Sequence, residues 1–219
     1  MEGAQVVIES VSVDKRPMHA NGLVFLSGQK AATAPLAMSE LDRVAKASGV
    51  GSILRVTCFV SSFEGIQSVR EGATRLFPVA AFDFVQALRA SPDFSVVCEG
   101  VGERAQAGEP VRITAGGVSV GTPKLVFSGT QMAFREQDTD LRLAFQRLQK
   151  ALESLGVSYQ DVLFSNVYAL TRSVSDNTAK VAAEFFPQQT IRTGTTVMVE
   201  GLPSLDASMA VEVIAGLRN

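Results

Sequence analysis

Gly22-Leu23-Val24-Phe25-Leu26-Ser27-Gly28-Gln29 returns in the second half of the chain as Lys124-Leu125-Val126-Phe127-Ser128-Gly129-Thr130-Gln131. The echo continues outward from there. Ala47-Ser48-Gly49-Val50 reappears as Ser154-Leu155-Gly156-Val157, and Leu76-Phe77-Pro78 as Phe185-Phe186-Pro187. Ser95-Val96-Val97-Cys98-Glu99-Gly100-Val101 reappears as Ser208-Met209-Ala210-Val211-Glu212-Val213-Ile214. The spacing between partners widens along the chain, but their order never breaks. Ordered matches of this kind read as two copies of one module. The expected division is 1–104 and 105–219.

Each copy is long enough to bury a core. Hydrophobic residues make up 46% of the 219 and charged residues 19%, which places the chain among globular proteins. The net charge of −2 shows no block of one sign, so no nucleic-acid partner is expected. No apolar run approaches the roughly 18 residues a membrane helix needs. Met1-Glu2-Gly3-Ala4-Gln5 has no signal-peptide character, so the expected compartment is the cytoplasm. No metal or cofactor is expected. One histidine, His19, cannot form a His-rich metal site and reads as a solvated loop residue. Cys58 and Cys98 lie in apolar runs and read as buried free thiols. Gly100-Val101-Gly102-Glu103-Arg104-Ala105 has the spacing of a dinucleotide-binding turn. Gly108 and Pro110 forbid the helix such a turn must open, so the stretch reads as the linker between copies.

In the second copy, Val111-Arg112-Ile113-Thr114 is a strand signal, as is Lys124 to Ser128. Leu141, Phe145, Leu148, Leu152 and Leu155 then fall on one helical stripe, with capping candidates at Asp138-Thr139-Asp140 and a stop at Gly156. Val162 to Leu170 is a strand. A helix with Ser173 or Ser175 as cap buries Val174, Thr178, Val181 and Phe185, and Thr195–Glu200 and Met209–Ala215 are the last strands. The first copy follows the same path, with Leu41, Val44 and Ser48 marking one helix and Ile66, Val69, Ala73 and Leu76 the other. The expected fold is α+β, two tandem domains, each a mixed sheet with two helices on one face. The strands are apolar on both faces, so the free face must be covered too, by the sheet of a sister domain or of another subunit.

These residues resemble the RidA/YjgF family, also called L-PSP or reactive-intermediate deaminases. The resemblance is carried by Leu125-Val126-Phe127-Ser128-Gly129, by the helix ending at Leu155-Gly156, and by Asn166-Val167-Tyr168-Ala169. Glu184-Phe185-Phe186-Pro187, Thr195 to Pro203 and Val211-Glu212-Val213-Ile214-Ala215 complete it. It covers essentially all of 111–219 and, less tightly, 20–104, where the copy is degenerate. The resemblance implies a chorismate-mutase-like fold, three domains in a ring, and clefts between neighbours. It implies hydrolysis of enamine and imine intermediates to keto acids and ammonia; some members are called ribonucleases. A 2-imino acid needs a cation for its carboxylate, which arginine grips with paired hydrogen bonds, and a polar group to position water.

Carried over residue by residue, the family's arginine position falls on Gly194, with Arg192 two residues earlier as a displaced candidate. The family's glutamate falls on Ala210, with Glu212 two residues on and on the same strand face. Its tyrosine and asparagine fall on Ala115 and Ala179, and in the first copy the arginine and glutamate positions fall near Ala80 and Val97. Ser27, Gly28, Ser128 and Gly129 match the family's cleft floor. The expected site is therefore Arg192 and Glu212 for chemistry, with Ser27, Gly28, Ser128, Gly129 and Gly194 against a small-molecule metabolite. Three function classes stay open: an imine hydrolase, a non-catalytic metabolite binder and an assembly module. A ring needs three domains and a chain carries two. Three chains close two rings, which gives a homotrimer with six domains.

Overall fold

The computed structural model describes residues 19–89, 93–121, 125–186, 193–202 and 204–216. The first half contributes β1 (Leu23–Ala31), α1 (Ala34–Ala47), β2 (Val50–Val60), α2 (Ile66–Leu76), β3 (Ala81–Gln86) and β4 (Val96–Arg104). The second contributes β5 (Val111–Thr114), β6 (Gly117–Val120), β7 (Leu125–Phe127), β8 (Gln131–Phe134) and α3 (Asp138–Ser154). A single 3₁₀ turn at Tyr159–Asp161 then leads to β9 (Val162–Ala169), α4 (Arg172–Phe185), β10 (Gly194–Met198) and β11 (Ala207–Gly216). No helix among the described residues is long and apolar enough to cross a membrane.

Two sheets form, and they share one topology. The first runs β3-β2-β4-β1-β6-β5 and the second β10-β9-β11-β7, with β8 also paired to β11. The order β1-β4-β2-β3 in the first sheet matches β7-β11-β9-β10 in the second. Only β2–β3 and β9–β10 are parallel within these sets. Each sheet carries two helices on one face, as the periodicity predicts. Leu141, Phe145, Leu148 and Leu152 are fully buried on one side of α3, against Val174 and Val181 of α4 and Met209, Val211 and Val213 of β11. Ala37, Met38, Leu41 and Val44 of α1 do the same against Val24, Leu26, Val56 and Cys98.

Several local expectations change. Leu155 falls just past the end of α3 and is 48% exposed, so the stripe stops at Leu152. The cap of α4 is Thr171, whose Oγ1 accepts from Val174 N, rather than Ser173 or Ser175. α3 begins after Gln137, and Asp138 and Asp140 sit in its first turn, where their charge meets the positive end of the helix dipole. The stretch read as a linker, Gly100 to Arg104, is the end of β4. Cys58 and Cys98 are not free: they are directly opposite in the β2–β4 register, 4.1 Å apart at Cα, and disulfide-bonded. Sequence spacing alone does not reveal that register. His19 lies 3.1 Å from Glu103 Oε2 through Nδ1, a partner that only β4 supplies.

The second face of each sheet covers the other. Phe59, Leu88, Val97, Val197 and Val199 form one apolar cluster drawn from both halves. Phe25, Val118, Val120 and Phe164 form another. Phe59 meets Tyr168 edge-on at 6.1 Å, and Phe25 meets Phe164 at 6.0 Å. Leu88 bridges to Val199, Arg89 N donates to Met198 O, and the Arg89 guanidinium lies 3.3 Å from Glu200. The strand Val111–Thr114, read from sequence as the opening of the second copy, pairs with β6 as a hairpin that joins the first sheet. β6 pairs with β1, Leu23 opposite Val120 and Phe25 opposite Val118.

Candidate functional site

Strand alternation builds a polar belt between the two apolar clusters. On β4, Val97 belongs to one cluster and Val101 packs on the other, and Glu99 stands between them on the same face. On β9, Tyr168 and Phe164 stand the same way around Asn166. Glu99 is opposite Thr57 in the register, as Glu212 is opposite Asn166. The two halves thus set matching polar pairs into the faces they turn toward each other.

Glu212 is the best-furnished group of the belt. Its Oε2 accepts from Thr130 Oγ1 at 2.9 Å. Its Oε1 accepts from Tyr168 Oη at 3.2 Å and Asn166 Nδ2 at 3.3 Å. Three neutral donors fix the carboxylate without consuming its charge. Among the described residues, Asn166 Oδ1 and Thr193 Oγ1 are buried with no hydrogen-bond partner, Thr193 being 4% exposed.

Ser27, Gly28 and Gly194 come together where β1 crosses β10. Gly28 N donates to Thr195 Oγ1 at 2.9 Å, and Gly194 N donates to Ser27 Oγ at 3.3 Å. Both glycines have a packing reason. A Cβ on Gly28 would meet Thr195 Cγ2 at 2.6 Å and Val97 Cγ1 at 2.7 Å. A Cβ on Gly194 would meet Ser165 O at 2.1 Å, so no arginine fits at that position. Ser128 and Gly129 do not join this group. Ser128 Oγ accepts from Val213 N at 2.9 Å, next to Glu212, and the space around Gly129 is open. Register explains the difference. Ser128 follows the Phe127–Ile214 pair as Leu26 follows Phe25–Val101, so the two Ser-Gly pairs sit one residue out of step. Arg192 lies outside the described residues.

Sequence reasoning missed Thr130, Asn166, Tyr168 and Thr195. They come together only through the pairing of β9 with β11 and the crossing of β1 over β10, which no local pattern marks. Two surface depressions, one beside His19, Asn21 and Glu103 and one beside Gln149, Glu153 and Glu184, contain none of these groups. The carboxylate clasp, and not the depressions, carries the candidate chemistry. Among the described residues, no group of three His, Cys, Asp or Glu side chains is placed to hold a metal ion.

The chain is a four-layer α+β protein, helices, sheet, sheet and helices, with a candidate polar site between the face-to-face sheets. No family model and no curated protein matches the chain. Solved structures are similar over about half of it. A member of the YjgF/YER057c/UK114 family from Mycobacterium tuberculosis is 21% identical, covering 42% of this chain and 79% of its own, with a TM-score of 0.39. E. coli TdcF with bound serine is 22% identical over 44% and 83%, with a TM-score of 0.40. RidA from an Antarctic Psychrobacter is 19% identical over 50% and 100%, with a TM-score of 0.40.

Proposed function

We propose that the belt binds a small carboxylate-bearing metabolite and hydrolyses its imine or enamine form. The chain is read as two modules, 1–104 and 105–219, three chains completing two rings of three. The observation that carries the reading is Glu212, a carboxylate held by Thr130, Asn166 and Tyr168 on the face between the halves. In the proposed reaction Glu212 takes a proton from a water that attacks the imine carbon. The carbinolamine then loses its nitrogen as ammonia once that nitrogen is protonated, leaving a keto acid. Arg192 is assigned the substrate carboxylate.

The test is ammonia release from a freshly generated 2-imino acid. Glu212→Gln is expected to lower the rate by about 10²–10⁴-fold, the range of a lost general base. Arg192→Ala is expected to abolish turnover. A folded wild-type protein with no rate above background overturns the catalytic reading.

A second reading, a non-catalytic metabolite binder or assembly module, is favoured by Ala115, Ala179 and Ala210 where the resembled family carries polar groups. A ligand-induced rise in Tm without turnover would decide for metabolite binding.

A further inference from the structure

The two halves differ at one cross-strand position in their cores. Cys58 of β2 is opposite Cys98 of β4, and the two are disulfide-bonded. The repeat that matches Glu99 to Glu212 matches Cys98 to Val211, and the residue opposite Val211 is Val167 of β9. Two valines therefore fill, in the second half, the place where the first half carries a bond that reduction can cleave. The first half also has the thinner helical cover. α2 buries Ala73, where α4 buries Val174, Thr178, Val181 and Ala182.

Cys58 and Cys98 are both 0% exposed, in the cluster that holds Leu26, Leu41 and Val56 under α1. Their neighbours along each strand point to the opposite face. Thr57 and Phe59 flank Cys58, and Val97 and Glu99 flank Cys98. Phe59 and Val97 lie in the seam with Val197 and Val199, and Phe59 meets the ring of Tyr168. One pair of strands thus carries the disulfide on its helix face and a wall of the candidate site on the other.

We propose that Cys58–Cys98 is a redox device that governs the packing of the first half and, through Phe59, the seating of Tyr168 beside Glu212. The step is thiol–disulfide exchange with a dithiol. A thiolate of the dithiol attacks one sulfur, and the other leaves as a thiolate and takes a proton. The second sulfur of the dithiol then releases the first cysteine as it closes to its own disulfide. The protein gains two electrons and two protons, and the dithiol is oxidised. The product thiols must separate to non-bonded contact, roughly 3.5–4.0 Å, inside a close-packed core. The side chains of β2 and β4 are pushed apart as a result. Because both sulfurs are buried, a reductant reaches them when the first half opens, and exchange in the folded protein is slow. The device holds whether or not Glu212 is catalytic.

The experiment compares the full chain oxidised with glutathione disulfide and reduced with dithiothreitol, with thiols counted after denaturation. Reduction is expected to be much slower in buffer than in denaturant, and the reduced form to melt about 5–15 °C lower. Tyr159→Phe leaves Tyr168 as the one tyrosine, and its emission is expected to change on reduction. Cys58→Val with Cys98→Val, the pair the second half already uses, is expected to melt and emit alike with and without dithiothreitol. Equal melting temperatures for the oxidised and reduced wild type overturn the proposal, as does reduction equally fast in buffer and in denaturant. A melting shift with unchanged Tyr168 emission overturns the link to the seam. If the valine variant does not fold, the two forms of the wild type decide.

Discussion

Tyr159 donates its hydroxyl to Phe145 O at 2.6 Å in the core of the second half, and burial holds its phenol well above the ordinary 10.0. A phenol raised on folding stabilises the native state fully below the unfolded value. That contribution is lost as pH climbs from 10.0 toward the folded value, because the unfolded chain can release the proton and the native one resists. Denaturant titrations from neutral pH upward are therefore expected to show wild type losing stability above pH 10.0 more steeply than Tyr159→Phe. Parallel curves would remove the buried phenol as the cause. Glu212 makes a second point at this scale. Its placement on that strand face is legible from the alternation in Val211-Glu212-Val213 and from the repeat that matches it to Glu99. Its three donors come from β8's approach and from β9, segments far apart in sequence, and no local pattern ranks them above other polar residues.

α3 shows why elements are the most legible level. Leu141, Phe145, Leu148 and Leu152 obey the helical period, and all four are fully buried. Phe145 also stacks on Phe185 at 5.4 Å and meets Phe186 edge-on at 6.3 Å, fastening α3 to the end of α4. Phe145→Ala is expected to cost about 3–5 kcal/mol, the range for emptying a buried aromatic site. The denaturant midpoint should fall with an unchanged slope; a loss under about 1 kcal/mol would show that the α3–α4 contact collapses to fill the gap. The errors of sequence reading sit at element ends and in pairings. Leu155 satisfies the period but follows the last helical turn. The cap passes to Thr171 because its side chain, and not that of Ser173, reaches Val174 N. Cys58 and Cys98 pair because β2 and β4 bring them into register across a sequence separation of 40. β5 is recognisable from its own residues, yet β6 and the pairing of β6 with β1 are not, since pairing across the chain leaves no local mark.

At the scale of the molecule, both apolar clusters between the sheets draw residues from each half, so neither half covers its sheet alone. Leu88 is the sharpest case. It is 3% exposed, bridges to Val199, and belongs to the cluster that includes Phe59 and Val197. Cooperative unfolding follows: removing one half would expose an apolar sheet face of the other. Wild type is expected to unfold in a single transition whose calorimetric and van't Hoff enthalpies agree. Leu88→Asp places an unpaired carboxylate in this seam and is expected to destabilise the native state strongly, because a buried charge needs a partner. It should also uncouple the halves, so that the single transition broadens or divides. Gly28→Ala should act in the same direction at the polar belt, where the added Cβ would press on Thr195 and Val97 from 2.6 and 2.7 Å. Two separate transitions in wild type, or a Leu88→Asp protein that melts where wild type does, would show that the seam is a loose contact and that each half is stable by itself.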